Sequence, residues 1–280
     1  MPSNRGGSSR ERERNRGGRV EFVPTLMASI CGLEGSGKTK FACSAPGDIV
    51  YLATDPNSAE TVSAEQALQP DKDIQYYQFD LPGIAFGERE EVGNEATEVW
   101  NEFVNVIRPI VKGEVAAPGT IVLDTATEFW TLLLLADHGK STQILPELRT
   151  KSNARWQSLL TGLKQTGAHV VLLHRLGPRY ESRTVRTKQG PTEERVQVPG
   201  EWDRQGFSKT GYSVNVEAYL FHQRERDEEL ANQFGMKIVR CTGRPSLIDR
   251  EVWGRTSKGE SKVTFDRLFR MVYPNAQESV

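Results

Sequence analysis

The sequence predicts an α/β fold, a mainly parallel sheet with helices on both faces, finished by a C-terminal β-hairpin and helix. Two observations predict it. Short apolar runs recur at Leu26–Cys31, Asp48–Thr54, Thr120–Leu123 and His169–Leu173, which is how strands covered on both faces read. Segments with helical spacing separate them, and alternating strands and helices make a parallel sheet with helical crossovers. With 280 residues, 37% hydrophobic and 26% charged, the chain can build one large domain with polar extensions.

The elements follow in order. Residues 1–19 (MPSNRGGSSRERERNRGGR) hold almost nothing apolar to offset ordering entropy, so a disordered basic tail is expected, with the core over 20–250 and a C-terminal helix and tail over 251–280. Leu26–Cys31 runs into a Gly-rich stretch, and Gly37–Ser44 reads as a short helix stopped by Pro46-Gly47. DIVYLAT (Asp48–Thr54) is a second buried strand, followed by a helix around Ala59–Leu68 and a weaker strand at Ile74–Phe79. Val92, Val99, Phe103, Val104 and Ile107 give Glu88–Val111 helical spacing. A helical region including Phe129–Ala136 and another near Asn153–Thr166 lie between the strands at Thr120–Leu123 and His169–Leu173. Leu176–Ser213 is polar and rich in Gly, Pro and charge, and is expected to be a long functional or disordered loop. Val214–Gln223 and Met236–Cys241 read as a hairpin joined by the Arg224–Glu229 turn. Phe265, Leu268, Phe269 and Val272 fall at i, i+3, i+4 and i+7, an amphipathic helix expected to dock on the core, a partner-binding helix being the alternative.

Composition narrows the function. No run of about 18 apolar residues exists, so no membrane span is expected, and the N-terminus lacks the apolar stretch of a secretory leader. Three cysteines without CxxC pairing suggest reduced thiols in a cytoplasmic protein rather than a metal site. A net charge of −1 means that any nucleic-acid contact must come from local clusters.

Gly32-Leu33-Glu34-Gly35-Ser36-Gly37-Lys38-Thr39 fits GxxxxGK[ST] at every fixed position, between an apolar strand and a helix. Glycines let successive backbone N–H groups converge on phosphate oxygens, and the helix start favours the same anion. Lys38 can reach the β and γ phosphates and the Thr39 hydroxyl can ligate Mg2+, which points to a magnesium nucleotide, ATP first. GTIVLD (Gly119–Asp124) is an apolar strand ending in an acid, so Asp124 is expected to hold Mg2+ through its water shell; the alternative is an Asp capping the next helix. Thr125 stands where many P-loop ATPases place a catalytic Glu. RecA-like ATPases, which the chain resembles more, place the water-polarising acid after the second strand, where Asp55 stands, with turn formation as its alternative reading. It is shorter than Glu, so slow hydrolysis is expected. Glu128 is the fallback base, or else a solvent-facing helix residue.

GLEGSGKTKFACSAPGDIVYLATD (Gly32–Asp55), GTIVLDTATEFW (Gly119–Trp130) and HVVLLHR (His169–Arg175) resemble phage-encoded, core-only RecA/RadA-like P-loop ATPases that assist single-strand annealing and recombination. The resemblance covers roughly residues 22–250. It implies ATP and Mg2+ as ligands, single-stranded DNA as a partner, a possible single-strand-binding protein as another, a homo-oligomer, and location in the host cytoplasm. It implies that His174, at a strand tip, senses the γ-phosphate, and that Arg240 or Arg244 reaches a neighbouring subunit's nucleotide. FVPT at Phe22 does not fit the family's Phe-x-x-Ala tether, so a filament joined that way is not expected, whereas a ring or other assembly is.

Leu176–Ser213 stands where such proteins carry a DNA-contacting loop. Arg175, Arg179, Tyr180, Arg183, Arg186 and Lys188 are the expected contacts, with Arg195, Arg204, Lys209, Trp202 and Phe207 beside them. Arginines bind phosphates while aromatics stack on bases, a combination suited to single strands. Glu181, Glu193, Glu194, Glu201 and Asp203 dilute the charge, and a solvated insertion is the alternative. Against an ATP-dependent single-strand-binding recombination or annealing protein stand a small-molecule kinase, which should show a compact Arg-rich lid, a nucleotide switch with negligible catalysis, and a helicase or packaging motor subunit.

Overall fold

The computed structural model describes residues 24–83, 88–139, 148–187, 190–223, 233–254 and 261–276. The predicted tail at 1–19, Phe22, Lys188 and the Arg224–Glu229 turn lie outside them. Among the described residues the strands are Met27–Gly32 (β1), Ile49–Ala53 (β2), Ile74–Gln78 (β3), Thr120–Asp124 (β4), His169–Thr187 (β5), Gly190–Arg204 (β6), Val216–Gln223 (β7), Gln233–Cys241 (β8) and Glu251–Trp253 (β9). The helices are Lys38–Cys43 (α1), Ser58–Leu68 (α2), Arg89–Val111 (α3), Ala126–His138 (α4), Thr150–Gln165 (α5), Thr210–Ser213 (α6) and Phe265–Val272 (α7).

The strands form one sheet in the order β3-β2-β4-β5-β1-β7-β8-β9, with β6 paired to β5. From β3 to β7 every neighbour is parallel; β8 and β9 add an antiparallel edge. Side chains alternate between two cores, as the pleat requires. Ile49, Tyr51 and Ala53 of β2, with Val171 and Leu173 of β5, join Phe41 of α1, Val62 of α2 and Phe265 and Leu268 of α7 on one face. Val50, Leu52, Val170 and Leu172 join Phe103 of α3, Phe129 of α4 and Trp156 of α5 on the other. Each such buried side chain contributes roughly 1.5–3 kcal/mol. This is the α/β architecture expected, with the sheet mainly parallel and helices on both faces.

The closing helix docks on the core. Its N-cap Thr264 accepts the Arg267 N–H, and Phe265, Leu268 and Val272 are buried, Phe265 lying 6.3 Å ring to ring from Phe41. The strand β9 and the helix α7 thus extend the core. The strand β9 has three residues and left no periodic signal.

Leu176–Ser213 is not a loop. After Arg175, β5 continues beyond the sheet as one arm of a long hairpin, pairing with β6 from Leu176↔Arg204 to Thr187↔Gly190 with an irregularity between Pro178 and Tyr180. Tyr180, Thr184, Thr192 and Val196 suit strands, and Arg183 stands directly opposite Glu194. Two of the acids that dilute the charge in one dimension lie across the hairpin from arginines in three, Glu194 opposite Arg183 and Glu201 in an ion pair with Arg179 at 2.7 Å. At the foot of the arm, Phe207 is buried in the core, and Arg204 pairs with Glu217 while donating to the Phe207 and Ser208 carbonyls. Neither is available to nucleic acid.

Candidate nucleotide site

The phosphate loop leaves the C-terminal end of β1, where Gly32 pairs with Arg175 of β5 and Leu220 of β7. A Cβ on Gly32 would run into Ser36 Oγ and lie 2.9 Å from the Leu220 carbonyl oxygen, so glycine alone fits. Gly37 has φ 86°, the left-handed region, and starts α1 with no side-chain cap. The loop makes one turn bond onto itself, Ser36 N–H to the Leu33 carbonyl. Among the described residues, the N–H groups of Gly35, Gly37, Lys38 and Thr39 have no hydrogen-bond partner, and the buried Ser36 hydroxyl has none either. An array of unpaired donors on a Gly-shaped turn fits a polyphosphate.

Lys38 folds back over this turn, its Nζ donating to the carbonyls of Gly32 at 2.8 Å and Leu33 at 3.0 Å. Burial lowers the Lys38 pKa, and the nearby carboxylates of Asp124 and Asp55 oppose that shift. Asp124, at the end of β4, is 3% exposed. Its Oδ2 accepts from the Tyr51 hydroxyl at 2.6 Å and faces Thr39 Oγ1 at 3.4 Å. Burial pushes its carboxyl up to about 6, with the Tyr51 and Thr39 hydroxyls and Lys38 pulling the other way and Asp55 adding to the rise. A buried carboxylate beside a threonine hydroxyl, with its charge poorly compensated, suits a hard divalent cation held through water. The cap of α4 is the Thr125 side chain, which accepts the Glu128 N–H at 3.2 Å, so Asp124 is left to the site.

Tyr51 was not legible in the sequence as a site residue. It is an inward-facing residue of β2, fully buried against the Tyr76 ring at 5.8 Å, and looks like core in a string of apolar neighbours. Only the β2–β4 register, which sets Tyr51 opposite Val122, brings its hydroxyl to the end of β4.

The two candidate bases sit on either side of Asp124. Asp55 accepts the Asn57 N–H at 3.0 Å, the turn-forming role, while its charge acts on both Asp124 and Lys38. Glu128, with a side chain 14% exposed, is turned inward rather than to solvent: one carboxylate oxygen accepts from Thr54 Oγ1 at 2.7 Å and the other meets Arg175 at 2.6 Å. Arg175 therefore stands at the loop's edge of the sheet, tied to Glu128, and not out on the arm with the other expected DNA contacts.

His174 is 1% exposed, with Nδ1 3.4 Å from Thr127 Oγ1 and Nε2 without a partner among the described residues. Burial holds it well below the usual histidine range, so it is neutral. Its strand does not end there: β5 continues to Thr187, so His174 is a buried mid-strand residue rather than a strand tip. Arg240 lies within the antiparallel β8, opposite Glu217, and Arg244 follows that strand, both at the sheet end remote from the loop, where Cys241 pairs with Val216. Arg240 stacks 4.9 Å over Tyr212, and Arg244 donates to the Met271 carbonyl at 2.7 Å. On the arm, Arg179 pairs with Glu181 and Glu201, Tyr180 is 47% exposed beneath Arg195, and Arg183 is exposed; Arg186 lies in β5, and Lys188 falls outside the described residues. No helix among the described residues is long and apolar enough to cross a membrane.

No family model and no curated protein matches the chain. Among solved structures, the crystal structure of a KaiC-like protein from the hyperthermophilic archaeon Pyrococcus horikoshii OT3 is similar, at 16% identity over 78% of this chain and 80% of that one, with a TM-score of 0.36. So loose a likeness decides nothing about the site; the mainly parallel α/β architecture rests on the strand order, register and helix layers of the chain itself.

Proposed function

We propose that the chain is a magnesium-dependent, RecA-like P-loop ATPase that uses the state of its nucleotide to govern single-stranded-DNA binding in recombination or strand annealing. The convergence of Lys38, Thr39 and Asp124 above a loop of unpaired N–H groups carries the nucleotide part of this reading. Lys38 would leave the loop carbonyls for phosphate oxygens, and Thr39 and Asp124 would hold Mg2+, which supplies charge neutralisation at the phosphates. Glu128 or Asp55 would orient the attacking water. Arg240 and Arg244, remote from the loop of their own chain, would act only on a nucleotide held by a second copy.

For the DNA part, the support is continuity: β5 runs unbroken from the sheet position beside Gly32 into the arm that carries Arg179, Tyr180, Arg183 and Arg186. The arm's ion pairs lie at the surface, and such pairs contribute about 0–1 kcal/mol, so exchanging a glutamate for a DNA phosphate costs little. Tyr180 and Trp202 are exposed aromatics for stacking on bases.

Nucleotide binding and turnover, measured with and without single-stranded DNA, test both parts. Lys38→Ala is expected to abolish ATP binding; unchanged affinity would refute the nucleotide site. Turnover indifferent to DNA but raised by a nucleoside acceptor would replace the DNA reading with a kinase.

A further inference from the structure

Glu128 is held from two sides. Thr54 at the end of β2 donates to one oxygen at 2.7 Å, and Arg175 of β5 binds the other at 2.6 Å, so the carboxylate bridges the two strands flanking β4. In this arrangement its oxygens are directed at protein donors, not at a water above Asp124. Arg175 is the exposed member: its side chain is 51% exposed, whereas its backbone is held by pairing with Gly32 and by its N–H donating to Thr127 Oγ1. The guanidinium is near enough to Lys38 to be among the charges that lower that ammonium's pKa. Two cations thus border one space at the loop, and only one of them is paired with a carboxylate.

We infer that Arg175 is a positioning residue that senses the terminal phosphate by exchanging Glu128 for it. This rests on the nucleotide site proposed above and deepens it. The terminal phosphate of ATP, next to Lys38, competes with Glu128 for the guanidinium, and charge-assisted contacts to phosphate oxygens are at least as strong as those to a carboxylate. Release of Arg175 frees Glu128 to turn toward the site. ADP, lacking that phosphate, leaves the ion pair in place. Leu176, the next residue, is where pairing with β6 begins, so the exchange is made at the root of the arm.

The competition has an unusual signature in binding. Removing Glu128 should tighten ATP, because Arg175 is then free from the outset, and should do so only while Arg175 is present. The experiment is a double-mutant cycle of Glu128→Ala and Arg175→Ala in the full chain, reading ATP and ADP affinities by calorimetry with Mg2+. Arg175→Ala should reduce the preference for ATP over ADP by roughly tenfold and Glu128→Ala should raise it roughly threefold to tenfold, on the scale of one net hydrogen bond. The double variant should match Arg175→Ala alone. If Glu128→Ala tightens ATP equally in both backgrounds, simple charge repulsion accounts for it and the exchange is wrong; an unchanged preference overturns it as well. Glu128→Gln, of the same shape, repeats the test should the alanine variant melt early. Lys38→Ala run alongside separates the two readings: if it too leaves ATP binding intact, the site itself fails, whereas loss of binding there with an additive cycle removes only the role of Arg175.

Discussion

Asp124→Asn should make the nucleotide-free protein more stable at neutral pH while destroying its use of Mg2+. Asp124 is 3% exposed and burial raises its carboxyl from 3.8 to about 6, so no correction for solvent screening applies. The folded value lies above the unfolded one, so folding favours the protonated acid. The penalty for ionising it is present in full above pH 6 and disappears as pH falls through 6 toward 3.8. At 1.36 kcal/mol per pH unit the gap amounts to about 3 kcal/mol. Asparagine keeps an oxygen to accept from Tyr51 and carries no charge, so the variant escapes that penalty. For a chain of this size the gain corresponds to a Tm higher by about 6 °C. Melting followed by circular dichroism in EDTA, from pH 5 to 8, should show the difference largest at pH 7.5 and shrinking toward pH 5. With Mg2+ and ATP the order should reverse, since only the native acid gains from binding. A variant that melts at or below the native protein in EDTA at pH 7.5, or a difference independent of pH, would refute the argument that this carboxylate is poorly compensated without a cation.

Tyr51→Phe removes the hydroxyl that orients Asp124 Oδ2 and leaves the ring in its stack on Tyr76. The Mg2+ concentration that half-saturates ATP binding should rise roughly tenfold, the usual scale for losing a partner of a metal ligand, and an unaltered Mg2+ titration would show Tyr51 to be core packing alone. Neutralising Arg179, Arg183 and Arg186 to alanine should weaken single-strand binding and lower the slope of log affinity against log salt by up to about 2. An unchanged slope would place the DNA surface elsewhere.

How far the sequence was legible depends on which signal each element carries. Strands β1, β2, β4 and the start of β5 are buried on both faces, so their apolar runs announce them. Helix α7 announces itself by Phe265, Leu268 and Val272, all of which face the core. The phosphate loop and Asp124 are local in sequence: a fixed spacing, and an acid at a strand end. The arm is the opposite case. It buries neither face along most of its length, so no apolar alternation marks it, and it is held by a backbone ladder, with Arg183 opposite Glu194, that only a register can reveal. Phe207 and Trp202, five residues apart, read alike as aromatics in a polar stretch, yet one is core and the other 41% exposed.

The site divides in the same way. Lys38, Thr39 and Asp124 could be found because their chemistry is tied to position along the chain. Tyr51 meets Asp124, and Thr54 and Arg175 meet Glu128 of α4, because β4 and β5 stand between β2 and β1, and that strand order is a property of the folded sheet. Arg175 makes the point most sharply. In sequence it is the first of a series of arginines and is grouped with Arg179, Arg183 and Arg186 by charge. In the sheet it pairs with Gly32, where the Gly-rich loop begins, and its guanidinium meets Glu128. On the exchange proposed above, with the next residue beginning the arm, a substitution of Arg175 should alter the response to nucleotide rather than the salt dependence of DNA binding.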